Sequence, residues 1–225
     1  MDFELGEVLL VNKPLTWTSF DVVNKLRYAL KKKLGNKIKV GHAGTLDPLA
    51  TGLLIICTGK MTKKIDEFTG MDKEYTGSFF IGGTTATYDS ELEMNATFAT
   101  GHIDEPMLLT VAQSFVGDIE QMPPIYSAIK IDGSAAYIAA RKGEEVVMKA
   151  RHVTIKEFEL TKIEMPLVHF RVVCSKGTYI RSLAYDYGKA LNSGAYLAGL
   201  CRTKIGGYDV KDAKDVETWV REITG

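Results

Sequence analysis

Gly41-His42-Ala43-Gly44-Thr45-Leu46-Asp47-Pro48-Leu49-Ala50-Thr51-Gly52 runs straight into Leu53-Leu54-Ile55-Ile56-Cys57. The second stretch is apolar without a break and is closed by Thr58-Gly59, the pattern of a strand buried on both faces. The first stretch holds three glycines and one proline in twelve residues, so it reads as an irregular loop. Pro48 pushes Asp47 toward an extended backbone and thereby sets the angle at which one carboxylate is presented. A loop backed by a rigid strand is a sound support for chemistry. Taken alone, Asp47 fits two roles: a cap on its own turn, or a functional acid.

Outward from this stretch the patterns alternate between strand and helix. Residues 8–11 read as a short buried strand ended by Lys13-Pro14. Thr18 or Ser19 can then cap a helix, with Asp21 three residues after Thr18 to answer it. Phe20, Val23, Leu26 and Leu30 follow at helical spacing, and the helix runs out in Lys31-Lys32-Lys33, where cations suit the helix dipole. A short helix is expected through Ile65 and Phe68. A period-2 strand follows from Tyr75 to Ile81, and a second runs from Val168 to Cys174. Asp104 can cap a helix with Pro106 in its first turn and Leu109, Val111 and Phe115 buried. Ile180, Leu183, Ala184, Tyr187 and Leu191 form another helical stripe, and Val216, Trp219, Val220 and Ile223 a last one. Strands outnumber helices and come in adjacent runs. The expectation is therefore a single α+β domain over 1–225, with a mixed, mainly antiparallel central sheet and flanking helices.

The 225 residues, 45% apolar and 25% charged, exclude disorder, collagen and coiled coil. The apolar runs are far shorter than the ~20 residues a membrane helix requires. The start, Met1-Asp2-Phe3-Glu4, has no export signal, and three isolated cysteines (Cys57, Cys174, Cys201) suit reduced thiols, so a cytoplasmic protein is expected; the chain is also expected to be a monomer. The net charge is zero, 28 basic against 28 acidic residues. That balance is uneven along the chain. Residues 25–75 carry a net of +6, residues 76–120 contain seven acids and no Lys or Arg, and residues 121–181 return to +4. A polyanion could meet one region while the acidic stretch points elsewhere. The lysines at 31–33, 37 and 39 fit equally the solvated end of a helix.

Several chemistries fail on spacing. Thr58-Gly59-Lys60 lacks the glycine five positions before Gly59, and Met61 stands where a phosphate loop needs Ser or Thr. No G-x-G-x-x-G occurs, and Val173-Cys174-Ser175-Lys176-Gly177 lacks the first glycine of a nucleophile elbow. His42, His102, His152 and His169 show no metal-binding spacing, and no Cys pair has C-x-x-C spacing. Neither a metal nor a cofactor is expected, and any chemistry falls to side chains.

The loop around Asp47 resembles the catalytic motif of the TruB family of tRNA pseudouridine synthases. Asn12-Lys13-Pro14 with Thr18-Ser19 and Asp21-Val22-Val23 resembles that family's N-terminal signature, with Thr16 where the family usually has Gly. Lys73-Glu74-Tyr75 resembles the segment with its active-site tyrosine. Gln121-Met122-Pro123-Pro124-Ile125-Tyr126-Ser127-Ala128-Ile129-Lys130 is similar to its Q-x-P-P-x-Y-S-A-x-K block. After Gly133 this chain has Ser134-Ala135-Ala136-Tyr137 where a basic residue is common. Cys174-Ser175-Lys176-Gly177-Thr178-Tyr179-Ile180-Arg181-Ser182-Leu183 resembles the segment with the family's active-site arginine. Leu200-Cys201-Arg202-Thr203 resembles its strand behind the uracil pocket, with Cys201 where Arg is frequent.

The resemblance implies isomerisation of uridine 55 in the T-loop of tRNA, with no cofactor. It implies Asp47 as nucleophile or base, with the Arg181 guanidinium beside it to favour the carboxylate. Tyr75 would stack on the flipped uracil and take part in proton transfer at C5. Tyr179 would line the pocket, Leu200 close its far wall, and His42 occupy the place the base leaves. Lys13, Lys130 and the lysines at 31–33 would contact phosphates. Residues 121–152 would form a thumb-like insertion that grips the RNA. The chain is expected to be a short form without the C-terminal PUA domain, leaning on the T-arm. Two other readings stand beside this one: a non-catalytic tRNA-binding or remodelling protein on the same scaffold, and an RNA-guided synthase acting on ribosomal RNA.

Overall fold

The computed structural model describes all residues except 128, 132, 133 and 145, and the backbone alone for 130, 131, 134 and 135. The chain begins with β1 (Val8–Lys13), α1 (Ser19–Leu34), β2 (Val40–Ala43), β3 (Ala50–Thr58), a 3-10 turn (Gly59–Lys64) and α2 (Ile65–Gly70). Then come β4 (Lys73–Ile81), β5 (Gly83–Thr85), β6 (Met94–Thr97), α3 (Glu105–Ser114), β7 (Gly117–Gln121), β8 (Lys130–Ile131) and β9 (Ser134–Ala135). The rest comprises α4 (Ala136–Arg141), β10 (Arg151–Glu164), β11 (Leu167–Cys174), α5 (Ile180–Ala190), β12 (Ala195–Ile205), β13 (Tyr208–Asp209), β14 (Lys214–Asp215) and α6 (Val216–Thr224). These segments form two compact units, 1–76 with 200–225, and 77–199. Among the described residues no helix is long and apolar enough to cross a membrane.

In the first unit β3 is the organising strand. It pairs antiparallel with β1 and β2 and parallel with β12, where Leu200, Cys201 and Arg202 face Ala50, Thr51 and Gly52. Leu54 and Ile56 pack under α1 and α6 with Leu9, Val22, Leu26 and Ile223. Leu53, Ile55 and Cys57 pack on the opposite face with Ala43, Phe68 and Ile205. Both faces are buried, which is why the sequence here is an unbroken apolar run rather than an alternation. The strand also begins earlier than its composition suggests. Residues 41–43 and 50–52, expected in the loop, are strand, because the Val40-to-Ala43 ladder and the β12 pairing satisfy their backbones. The irregular segment shrinks to 44–49.

Helix α1 starts as the sequence predicts. Thr18 Oγ1 accepts from the Asp21 N–H at 3.0 Å, and the Asp21 carboxylate accepts from the Thr18 N–H at 2.8 Å. Two N–H groups that the helix itself cannot satisfy are thus paired.

In the second unit β10 pairs antiparallel with β11 and β7. Its core is aromatic: Phe79 stacks on Phe170 at 4.2 Å, and Phe158 and Tyr187 pack around them. The Tyr187 hydroxyl donates to the Leu108 carbonyl at 2.9 Å and ties α5 to α3. Helix α3 buries Leu108 and Ala112, while Leu109 is exposed and Val111 and Phe115 are half-buried. That corrects the expected stripe by one position: 108, 112 and 115 follow helical spacing, whereas 109 and 111 stand two apart on different faces. Within 121–152 the described residues include the antiparallel β8–β9 pair and α4.

The uneven charge follows the units. The first holds 17 Lys and Arg against 14 Asp and Glu, the second 11 against 14. Lys31, Lys32, Lys33, Lys37 and Lys39 are all exposed in the first unit.

Candidate active site

The loop at 44–49 leaves β2 and re-enters the sheet as β3, so both its ends are fixed by ladder hydrogen bonds. Asp47 is half-buried at its crest. The Asp47 carbonyl accepts from Ala50 N at 3.1 Å, and the Pro48 carbonyl accepts from Thr16 N at 2.8 Å. Thr16 has φ 69°, a left-handed conformation that is costly for a β-branched residue. The turn geometry that Gly would supply is therefore kept by Thr.

Two cations are buried beside this loop. Lys13 is fully buried at the end of β1, with its ammonium donating to the Pro14 carbonyl at 2.9 Å, to the Trp17 carbonyl, and at 3.4 Å to the Pro48 carbonyl. Burial lowers its pKa from 10.5 to about 8; attraction to Asp47 opposes that fall, and the Arg202 charge adds to it. The expected phosphate contact by Lys13 is corrected here. An ammonium enclosed by three carbonyls has no path to an RNA phosphate, and its role is to hold the loop.

Arg202, 1% exposed on β12, donates to the carbonyls of Leu53 at 2.8 Å, Gly44 at 3.0 Å and Thr45 at 3.5 Å. It reaches them because Gly52, at φ 102°, has no Cβ; one there would come within 2.3 Å of the Arg202 carbonyl oxygen. His42 is half-buried at the end of β2, and its pKa is lowered by burial first and by Arg202 second. Leu200 is half-buried opposite Ala50, and its carbonyl accepts from the Thr51 hydroxyl at 3.4 Å. Tyr75 is buried in β4. Five of the expected site residues, Asp47, Lys13, His42, Tyr75 and Leu200, thus belong to the first unit.

Arg181 and Tyr179 belong to the second unit. Arg181 sits in the first turn of α5, 5% exposed, and donates to the carbonyls of Thr87 at 3.1 Å and Tyr126 at 2.9 Å. Its Nε lies 3.6 Å from the carboxylate of buried Asp89. Asp89 is itself oriented by the Thr87 hydroxyl at 2.6 Å and the Glu91 N–H at 3.0 Å. The start of α5 carries no side-chain cap of its own. Gln121, fully buried, accepts from Tyr179 N at 2.7 Å and donates to the Tyr179 carbonyl at 3.1 Å. The Tyr179 ring lies 5.6 Å from the Arg151 guanidinium. The Lys130 side chain lies outside the described residues.

Sequence reading gave no role to Arg202, Asp89 or Gln121, although Arg202 and Gln121 fall within the quoted motifs. Their partners are distant in the chain, and no local pattern marks them. The signal available was a buried-type context: Arg202 stands two positions after Leu200, on the same face of a strand.

The model of the TruB family pseudouridylate synthase (N terminal domain) matches residues 31–180. The chain belongs to the TruB family. TruB relatives match over most of its length. The protein named tRNA pseudouridine synthase B of Flavobacterium johnsoniae is 60% identical over 213 residues, covering 94% of this chain and 93% of the relative. Its namesake in Chlorobium luteolum is 50% identical over 215 residues, covering 95% of this chain and 74% of the relative. Among solved structures, the TruB fold seen here is similar to a chain of a Cbf5-Nop10-Gar1 complex, with a TM-score of 0.74 and 28% identity. That match covers 97% of this chain and 54% of the other, so this chain spans about half its length.

Proposed function

We propose that this TruB-family pseudouridine synthase acts on tRNA and converts uridine 55 of the T-loop, with Asp47 as the reacting carboxylate. The observation that carries the reading is the anchoring of Asp47: a half-buried carboxylate on a loop whose flanking carbonyls are held by Lys13 and Arg202. A loop held in this way presents its acid without reorganisation at the moment of reaction. The high identity to full-length relatives named tRNA pseudouridine synthase B supports tRNA as the substrate.

The reaction is an isomerisation. The bond from uracil N1 to C1′ breaks, the base turns, C5 bonds to C1′, C5 loses its proton and N1 gains one. No electrons are gained or lost, so side chains suffice. Asp47 enters as nucleophile at the sugar or as base. A uridine in a folded T-loop is stacked, and bringing it to Asp47 costs a few kcal/mol of unstacking. His42 fills the place the base leaves, Tyr75 stacks on the uracil and serves the proton at C5, and Tyr179 and Leu200 bound the pocket. Arg181 supplies positive charge of the sign an ionised Asp47 requires. Residues 121–152 grip the RNA, and exposed Lys31, Lys32 and Lys33 contact phosphates, which position the RNA without reading its bases.

The test is pseudouridine mapping on a complete tRNA transcript and on the isolated T-arm. Conversion at uridine 55 alone, in both RNAs, is the expected result. Conversion at other uridines, or binding without conversion, would replace this reading, the latter with a tRNA-remodelling protein.

A further inference from the structure

The backbone on the C-terminal side of Asp47 is held by Ala50 and Thr16. On the N-terminal side the anchor is a side chain of α1. The Ser19 hydroxyl accepts from the Leu46 N–H at 2.8 Å and donates to the Leu46 carbonyl at 3.2 Å. One hydroxyl therefore fixes both peptide planes around Leu46, and the second of those planes is the bond to Asp47. Ser19 is 2% exposed and Leu46 4% exposed, so water does not compete for these groups.

Ser19 stands at the start of α1, where a hydroxyl ordinarily caps the helix. Here that task is complete without it: Thr18 and Asp21 form the reciprocal cap. The Ser19 side chain is turned away from its own helix and used on the catalytic loop. Arg202 works on the same arm, two residues upstream, through the carbonyls of Gly44 and Thr45.

We propose that Ser19 is a positioning residue for Asp47, which sets the orientation of the 46–47 peptide and through it the placement of the carboxylate. The proposal rests on the reading of Asp47 as the reacting group. Removing the hydroxyl leaves two buried polar groups of Leu46 without a partner. They regain partners only if the loop shifts or admits water, and either loosens the hold on the 46–47 peptide. A displacement near 1 Å at a reacting group costs on the order of 100-fold in rate.

Ser19→Ala, Ser19→Thr and Thr18→Ala separate positioning from folding. For Ser19→Ala the single-turnover rate is expected to fall roughly 10- to 100-fold, with tRNA affinity within about twofold of wild type. The Leu46 and Asp47 amides should exchange hydrogen at least about tenfold faster, while amides within α1 keep their protection. Ser19→Thr retains the hydroxyl and should retain the rate. Thr18→Ala, which removes one half of the reciprocal cap but keeps the Ser19 hydroxyl on Leu46, should lower the melting temperature yet leave the rate per folded molecule unchanged. Unchanged exchange at Leu46 in Ser19→Ala overturns the proposal, as does a rate loss matched by Thr18→Ala. Should the wild-type protein form no pseudouridine, the functional reading falls, and exchange at Leu46 still decides whether Ser19 holds the loop.

Discussion

Lys13 shows how far a side chain's type can mislead when its surroundings are unknown. Lysine is among the least buried residue types, so the natural reading of Asn12-Lys13-Pro14 placed its charge on RNA. The fold instead encloses it, and three backbone carbonyls replace its water. That enclosure has a pH signature. Lys13 gives up its proton near pH 8, whereas the unfolded chain holds it to 10.5. Between those values the unfolded state binds the extra proton, so the Lys13 contribution to stability rises with pH. Activity should move the other way, since a neutral amine has two N–H groups for three carbonyls and no charge toward Asp47. The single-turnover rate should fall as pH rises through about 8 while the urea midpoint gains from this group; a rate that stays level there would contradict the assignment. Thr16 makes a second prediction. Its left-handed backbone is unfavourable for Thr and free for Gly, so Thr16→Gly should stabilise by about 1 kcal/mol in urea denaturation. Arg181 drew attention in the sequence only through a motif; its partner Asp89, far off in the chain, was not legible at all.

At the scale of elements, what the sequence displayed best was local. The Thr18–Asp21 cap, the unbroken run of β3 and the period-2 strand at Tyr75 each depend on residues a few positions apart, and each is present in the structure. What it displayed poorly was settled by partners elsewhere. Gly41 and Gly52 looked like loop because glycine disfavours strands, yet β3 and β12 pair with them. The start of α5 is a further case. Its N–H at Tyr179 is satisfied by Gln121, a residue from β7. Gln121→Ala would leave that donor unpaired and should destabilise the protein by about 2 kcal/mol, read by urea denaturation. Because Arg181 follows two residues later, the same variant should also slow catalysis. Loss of stability at full single-turnover rate would show that α5 keeps its place without Gln121.

For the molecule as a whole, a net charge of zero conceals an uneven distribution between the two units. The surplus of basic residues lies in the unit that holds Asp47, and the surplus of acidic ones in the other. Binding through phosphates should then weaken steeply with salt, with a slope of about −0.7 to −0.9 in log–log form for each phosphate neutralised. Affinity that ignores salt would sink the phosphate contacts assigned to the lysines at 31–33. The fold class was readable from sequence, and Asp47 was singled out there as the candidate acid, while the network that holds its loop became visible only with the fold. The central claim is that this acid performs the chemistry. Pseudouridine at uridine 55 is to be measured in single turnover with wild-type protein and Asp47→Asn, alongside tRNA affinity. The account predicts conversion by the wild type and none by Asp47→Asn, with affinity within about threefold between them; conversion by Asp47→Asn at the wild-type rate would contradict it.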